Sequence, residues 1–185
     1  MPLSKAQVAQ LARSVGLLVL DVDGVLSDGK LYFGNHGEEI KAFNSLDGQG
    51  IKMLQSSGVK VAIITGRTSN IVTHRAQQLG IHLVLQGRED KLAALHELTQ
   101  ELQLDWLEMA YMGDDLPDLG AMIKVGLGIT LPNAANTMVH YSQYVTQRCG
   151  GQGAVREVCD LIMQAQGTWD TALAPYLNTD LPTCV

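Results

Sequence analysis

Four groups of polar residues in this sequence combine carboxylates, a hydroxyl and a cation in a way that suits phosphate chemistry. The groups are Asp21-Val22-Asp23-Gly24, Thr65, Lys91, and Gly113-Asp114-Asp115 with Asp118 one helical turn later. Carboxylates at close quarters repel one another unless a counter-charge is present, and Mg²⁺ bound through oxygen supplies that charge. A hydroxyl, an ammonium group and Mg²⁺ can together hold a phosphate, and a carboxylate can attack phosphorus.

The two aspartates of the first group are not equivalent. Asp21 and Asp23 stand two apart on an extended segment, so their side chains point the same way and one can attack while the other handles protons. An Asp-x-Asp-Gly segment also resembles a calcium-binding loop, but such a loop needs an acid at the position of Tyr32. Asp115 and Asp118, taken singly, are also compatible with helix caps.

Each polar group follows or closely succeeds a short apolar run, and these runs predict strands that are covered on both faces. Leucines at helical spacing from Leu92 to Leu102 and apolar residues from Val155 to Ala165 predict helices between or after them. This alternation predicts an α/β fold with a doubly wound parallel sheet. Ligands bind at the carboxyl ends of such strands, so the polar groups should meet in one crevice. The runs are Leu17–Asp21, Val59–Thr65, His82–Gln86, Met109–Met112 and Leu127–Leu131.

Two segments interrupt the alternation within what we interpret as one domain over residues 1–185. Residues 30–43 predict a β-hairpin with its turn at 34–37, inserted after the first strand where a helix would otherwise come. The tail at about 168–185 has no regular period. It is compatible with a frayed terminus or with a segment that reaches a neighbouring subunit.

The composition excludes several classes of protein. The chain has 185 residues, of which 46% are hydrophobic and 17% charged, so it is not a disordered polypeptide. A net charge of −6 argues against binding to nucleic acid or a membrane surface, which are both polyanionic. Three cysteines without a C-x-x-C pair suit a reducing compartment. With no signal peptide or membrane span in the pattern, we expect a cytoplasmic protein.

The polar groups resemble the four motifs of the haloacid dehalogenase (HAD) superfamily of phosphotransferases. A closer similarity, from about residue 17 to 167, is to the 3-deoxy-D-manno-octulosonate 8-phosphate phosphatase family. It depends on the segment 21–29 and on Gly37-Glu38-Glu39-Ile40-Lys41-Ala42-Phe43. Asp47-Gly48, Ile64-Thr65-Gly66-Arg67, the segment 150–157 beginning Gly-Gly-Gln-Gly, and Gln164–Gly167 extend it.

The resemblance implies a role for each motif residue. Asp21 would be the nucleophile that forms an aspartyl phosphate, and Asp23 the general acid and then the general base. Mg²⁺ would be held by Asp21, Asp114 and the backbone carbonyl of Asp23. Thr65 and Lys91 would bind the transferring phosphoryl group. Asp115 and Asp118 would support these groups without reacting.

The resemblance also implies a set of substrate contacts that includes two arginines. We expect Arg67 and Arg75 to share one face of the helix after the second strand, because they are eight residues apart. Position 46 departs from the family, since Leu stands where several relatives carry Arg. The full implied set is Asp23, Asn44, Ser45, Leu46, Asp47, Gly48, Lys52, Arg67, Arg75 and Lys91.

The implied activity is Mg²⁺-dependent hydrolysis of a sugar-acid phosphate in lipopolysaccharide precursor synthesis, by a homotetramer. The hairpin would replace a cap domain, and its apolar residues would pair between subunits. Two alternatives remain open from the sequence: a phosphatase for a nine-carbon sialic-type acid phosphate, and a phospho-acceptor signalling domain. In a signalling domain of that kind the accepting Asp follows a middle strand, whereas the Asp-x-Asp pair here follows the first.

Overall fold

A computed structural model of the protein describes residues 3–177. Its main sheet has six parallel strands in the order β5-β4-β1-β6-β7-β8, and β2 and β3 form a separate antiparallel pair. The α/β doubly wound prediction is therefore confirmed. The strands are β1 Leu17–Leu20, β2 Tyr32–Phe33, β3 Glu39–Ile40, β4 Lys60–Ile64, β5 Leu83–Leu85, β6 Met109–Met112, β7 Leu127–Thr130 and β8 Tyr144–Val145.

Helices cover both faces of the main sheet. Alternate residues of each strand face opposite cores, so Leu18 and Leu20 join one apolar cluster while Leu17 and Val19 join the other. The first cluster packs against α1, α2, α3 and α7, and the second against α4, α5 and α6. The helices are α1 Lys5–Ala12, α2 Ser45–Ser56, α3 Asn70–Leu79, α4 Lys91–Leu102, α5 Leu116–Lys124, α6 Asn136–Tyr141, α7 Ala154–Gln166 and α8 Trp169–Leu177.

The elements differ from the sequence prediction at the hairpin, at the last strand and in the tail, among other places. The inserted hairpin is present, but only two residues of each of its strands pair, Tyr32 with Ile40 and Phe33 with Glu39. Strand β8 was not predicted, because two residues are too few to show a period. The first part of the tail forms α8 despite its internal Pro175, and residues 178–185 of the predicted tail lie outside the described residues.

No helix within residues 3–177 is both long and apolar enough to cross a lipid bilayer. The longest helix, α7, has 13 residues, whereas a membrane-spanning helix needs about 20.

Candidate active site

Three adjacent strands deliver the predicted site residues to one edge of the sheet. Asp21 follows β1, Thr65 follows β4, and Asp114 comes two residues after β6. Strand β1 lies between β4 and β6, and parallel strands end on the same side. The sheet order therefore places these residues around one crevice, as the sequence predicted.

Lys91, the first residue of α4, lies between two carboxylates. Its Nζ is 3.0 Å from Asp21 Oδ1 and 2.6 Å from Asp118 Oδ1, and all three side chains are almost completely buried. Tyr111 donates its hydroxyl to the same Asp118 oxygen at 2.7 Å, and the Asp114 N–H donates to Asp118 Oδ2 at 3.3 Å. Asp118 therefore contacts Lys91 and Tyr111 with one oxygen and the Asp114 N–H with the other, and the supporting role implied for it stays a prediction.

The carboxyl groups of this cluster are hard to ionise together. Burial, with the charge of Asp118, raises the pKa of Asp21 to about 7 although Lys91 opposes the shift. Burial and Asp118 likewise raise the pKa of Asp114 to about 6. Burial alone would lower the pKa of Lys91, but Asp21 and Asp118 outweigh it and raise that pKa. One lysine thus faces more negative charge than it can balance.

The same carboxylates fit a divalent cation. One oxygen each from Asp21, Asp114 and Asp118 lies within 4.8 Å of the other two. Both Lys91 and Tyr111 already contact Asp118. Asp21 and Asp114 are therefore the better metal ligands. A hard cation would bind such oxygen ligands and supply the missing positive charge. The geometry therefore supports a metal site at Asp21 and Asp114, whereas the contribution of the Asp23 carbonyl stays a prediction.

The second aspartate, Asp23, contacts the hairpin rather than the core. Lys41 donates to Asp23 Oδ1, and Arg67 Nε lies 3.8 Å from Asp23 Oδ2. Glu39 accepts from both cations at 3.3 Å. Burial opposes ionisation of Glu39, but hydrogen bonds from these cations help to lower its pKa. The sequence reasoning missed Lys41 and Glu39, although their positions two apart in a predicted strand were a usable signal.

Glycines bring a second loop against the Asp21–Leu26 loop that follows β1. A Cβ on Gly150 would lie 1.8 Å from the Gly24 carbonyl oxygen, and Gly151 donates its N–H to the Val25 carbonyl at 3.1 Å. A Cβ on Gly24 would in turn lie 2.0 Å from Asp114 Oδ2. The segment Gly150–Gly153 therefore supports the Asp21–Leu26 loop of its own chain.

Two of the predicted substrate residues line a small pocket beside this loop. The pocket has a volume of about 400 Å³. Asn44 caps α2 by accepting the Leu46 N–H. It also donates to the Gly151 carbonyl at 3.1 Å, so it joins α2 to the loop Gly150–Gly153. The pocket is lined by Asp28, Ala42, Phe43, Asn44, Ser45, Gly151 and Gln152.

Four other predicted substrate residues lie on α2, where two are buried in helix packing and two are exposed. Asp47 is 1% exposed, and its Oδ1 accepts the Arg156 N–H at 2.8 Å, near the start of α7. Burial raises the pKa of Asp47, although that backbone contact opposes the shift. Gly48 packs against the Arg75 guanidinium. Leu46 is exposed and lines a separate groove, and Lys52 is exposed on α2.

The expectation that Arg67 and Arg75 share a helix face is wrong. Helix α3 begins at Asn70, so Arg67 belongs to the preceding loop. Arg67 points to Asp23 and Glu39, whereas Arg75 donates to the Asn44 carbonyl at 3.3 Å and lies 5.7 Å from the Phe43 ring. The turn that begins with Thr65-Gly66-Arg67 delays the start of α3 to Asn70, so the two arginines do not lie on one helix.

Asp115 is exposed and caps α5. Its Oδ1 accepts the Leu116 N–H at 2.8 Å, and Asp118 forms the other half of a capping box with it. This contact fixes the start of the helix that carries Asp118. Asp115 therefore supports the site through the backbone.

Comparisons with known proteins identify relatives of this chain. No protein-family model matches the chain. The chain is 48% identical over 167 residues, 90% of this chain and 89% of the relative, to the 3-deoxy-D-manno-octulosonate 8-phosphate phosphatase KdsC of Escherichia coli (strain K12).

Solved structures share the fold over nearly the whole chain. The Moraxella catarrhalis 3-deoxy-D-manno-octulosonate 8-phosphate phosphatase, in complex with magnesium, phosphate and KDO, matches with a TM-score of 0.90 and 46% identity over 92% of this chain and 98% of that one. A putative HAD superfamily (subfamily III A) hydrolase from Legionella pneumophila matches with a TM-score of 0.90 and 45% identity, covering 93% and 94%. The chain therefore belongs to the 3-deoxy-D-manno-octulosonate 8-phosphate phosphatase family of the HAD superfamily.

Proposed function

We propose that the protein is a Mg²⁺-dependent phosphatase that hydrolyses 3-deoxy-D-manno-octulosonate 8-phosphate, a step in lipopolysaccharide precursor synthesis. The observation that carries the proposal is the Asp21–Lys91–Asp118 cluster with Asp114 beside it, at the carboxyl edge of the sheet. A relative with the same fold was solved with magnesium, phosphate and KDO. The family name and the site chemistry thus favour the same reaction.

The proposed reaction has two steps. An Asp21 carboxylate oxygen bonds to phosphorus while the bond from phosphorus to the sugar oxygen breaks, and Asp23 gives that oxygen a proton. A water molecule then attacks phosphorus, Asp23 takes a proton from the water, and the bond to Asp21 breaks to release phosphate. Asp23 ends protonated and Asp21 ionised, as both began.

The remaining polar groups hold the phosphoryl group between these steps. Lys91 is fixed by Asp21 and Asp118, and its ammonium can neutralise phosphoryl oxygens. Thr65, buried at the end of β4, would add a hydroxyl donor. Mg²⁺ held by Asp21, Asp114 and the Asp23 carbonyl would neutralise charge on the phosphoryl oxygens. Positioning and charge neutralisation account for most of the catalysis in phosphoryl transfer.

Recognition of the sugar acid gives a reason to propose assembly. Among the residues 3–177 that the structure describes, neither Lys nor Arg lines the pocket of about 400 Å³ beside the Asp21–Leu26 loop, yet a sugar carboxylate needs a cationic partner. The hairpin exposes the apolar residues Tyr32, Phe33 and Ile40, which monomers usually bury. We propose a homotetramer in which hairpins pair and a second copy completes the pocket.

A phosphate-release assay tests the activity. The protein with Mg²⁺ should hydrolyse 3-deoxy-D-manno-octulosonate 8-phosphate with a kcat/KM at least tenfold above that for a nine-carbon sialic-type acid 9-phosphate. Chelation should stop turnover, and added Mg²⁺ should restore it. No release from either sugar acid, or release that survives chelation, would refute the proposal.

Sedimentation tests the assembly. Ile40→Glu, which places a charge on the exposed hairpin face, should convert a tetramer of about 80 kDa into smaller species, because four copies of a 20.0 kDa chain give that mass. Ile123→Glu, at another exposed position on α5, is the control and should leave the mass unchanged. A wild-type protein that sediments as an active monomer would contradict the assembly proposal.

A further inference from the structure

Four charged side chains form a ring that includes the Asp23 carboxylate, and the reaction as proposed above does not account for it. Lys41 Nζ binds Asp23 Oδ1, and Arg67 Nε lies 3.8 Å from Asp23 Oδ2. Glu39 Oε1 lies 3.3 Å from Lys41 Nζ and 3.3 Å from Arg67 Nη2. Two carboxyl groups alternate with two cations, so each Asp23 oxygen faces a cation, and the ring as a whole is balanced in charge once Asp23 has given up its proton.

The burial of Lys41 distinguishes this ring from an ordinary surface ion pair. Only 2% of the Lys41 side chain is exposed, although lysine normally extends its ammonium group into water. Burying an ammonium group is costly unless carboxylates pair with it, and here Asp23 and Glu39 both do. The Lys41 ammonium group is therefore held between these two carboxylates. It fixes the position of the Asp23 carboxylate that it binds.

Strand geometry explains how a short hairpin can supply this contact. Side chains alternate along a strand, so Glu39 and Lys41 project to the same side. Phe33 pairs with Glu39 across the hairpin, and its ring lies 5.6 Å from the Arg67 guanidinium carbon. The Tyr32–Ile40 pair projects to the other side. One face of the hairpin is thus specialised for the ring around Asp23.

We propose that Lys41 is a positioning residue: with Arg67 and Glu39 it holds the Asp23 carboxylate in the one orientation from which it exchanges a proton with the leaving oxygen. The proposal rests on the proposed function, since it requires Asp23 to be the proton donor. A carboxylate that could rotate freely would spend little time in reach of that oxygen. Glu39 anchors both cations and offsets their charge, so the ring orients Asp23 without facing it with two unbalanced cations.

Esters with different leaving groups distinguish this role from a structural one. An alkyl or sugar oxygen needs a proton as it leaves, whereas p-nitrophenolate does not. Because kcat/KM reports the steps up to departure of the leaving group, Lys41→Met should lower it about 30-fold on the sugar-acid phosphate and less than about threefold on p-nitrophenyl phosphate. Lys60→Met, which removes an exposed lysine at the start of β4, is the control and should change neither value.

A double-mutant cycle tests whether Lys41 acts through Asp23. Asp23→Asn should show the same leaving-group dependence, and adding Lys41→Met to it should cost less than about threefold more. Glu39→Gln provides a second variant at a partly exposed site, with an expected loss of about fivefold on the sugar-acid phosphate only. If Lys41→Met does not fold, this variant decides the question.

The possible failures are distinguishable. Equal losses on both esters, a gain on the sugar-acid phosphate, or additive losses in the cycle would overturn the role of Lys41 and leave the phosphatase standing. If the wild type hydrolyses other alkyl phosphates but not the sugar acid, the same comparison on those esters decides the role of Lys41. A wild type that hydrolyses no phosphate ester would refute both proposals.

Discussion

Asp21 and Asp23 stand two residues apart, yet different parts of the molecule hold them. The contacts of Asp21 come from the core: Lys91 begins α4, and Asp118 on α5 holds Lys91 in place. The contacts of Asp23 come from a hairpin with two-residue strands and from the loop before α3. The Asp21 side chain is 8% exposed and that of Asp23 is 20% exposed.

This difference separates two requirements of the proposed reaction. A nucleophile must hold its distance to phosphorus, so it benefits from a site built on packed helices and strands. A proton donor must reach the leaving oxygen of the sugar. It can therefore be held by an insertion that also faces the substrate. A two-stranded hairpin is marginally stable alone. The ring of four charged side chains around Asp23 links this hairpin to the rest of the domain.

The largest effect should come from replacing each aspartate by asparagine. Asp21→Asn should lower turnover of every phosphate ester by more than about 10⁴-fold, because an amide cannot attack phosphorus. Asp23→Asn should lower kcat/KM for the sugar-acid phosphate by about 10²- to 10⁴-fold and spare p-nitrophenyl phosphate.

Steady-state kinetics with both esters measures these losses. Asp105→Asn, at an exposed cap on the opposite end of the sheet, is the control and should retain activity. If Asp21→Asn and Asp23→Asn lowered the hydrolysis of the two esters in the same proportion, the two aspartates would not have different roles.

A smaller effect is expected on the core side at Asp118. Asp118→Asn removes the charge that holds Lys91, leaving a buried ammonium group with one carboxylate. We expect kcat to fall about 100-fold and the free energy of unfolding to fall by about 3 kcal/mol. Urea denaturation and kinetics measure the two losses.

Asp160→Asn is the control for Asp118→Asn. It breaks a half-buried ion pair with Arg156 within α7 and should cost about 0.5 kcal/mol. An Asp118 variant as stable and active as this control would show that the core side is less rigid than we argue.

The next largest effect is expected from a substitution in the loop Gly150–Gly153. Gly150→Ala would place a methyl group 1.8 Å from the Gly24 carbonyl oxygen, so one of the two loops must move. We expect a loss of about 2 kcal/mol in the free energy of unfolding and about tenfold in kcat. Gly16→Ala is the matched control, since its nearest neighbours are 3.6 Å or more away. Thermal unfolding of the two variants measures the difference in stability. Identical unfolding curves would contradict the prediction.

The smallest effect concerns pH and the core carboxylates in the metal-free protein. The pKa of Asp21 is raised to about 7, so its contribution favours the folded state at low pH and is lost as pH rises through about 7. Mg²⁺ must displace that proton, so its apparent affinity should weaken about tenfold per unit below pH 7. The raised pKa of Asp114, about 6, should steepen the loss at lower pH.

Calorimetric titration of Mg²⁺ between pH 5 and 8 measures the dependence, and melting of the metal-free protein over the same range checks its sign. Affinity that does not change with pH would show that these carboxyl groups are already ionised before the metal binds.

Much of the site could be predicted because the ends of the strands are marked by the local sequence. Apolar runs of five or so residues, each followed by Asp, Thr or Gly, predicted β1, β4 and β6 and the residues beyond them. Arg67 was misplaced because the turn after β4 delays α3 to Asn70. The predicted contacts Asp47 and Gly48 are buried in helix packing, because a segment's neighbours depend on the docking of α2, α3 and α7.

The sequence by itself determined which polar groups meet and at which edge of the sheet, because periodicity and turn residues act within a few positions. Only the tertiary structure decided what holds each group. Lys41 reaches Asp23 across 18 positions, Lys91 reaches Asp118 across 27, and Gly150 meets Gly24 from the far end of the chain. Such pairings follow from the path of the folded backbone, because a charged or small residue carries no local signal of its distant partner.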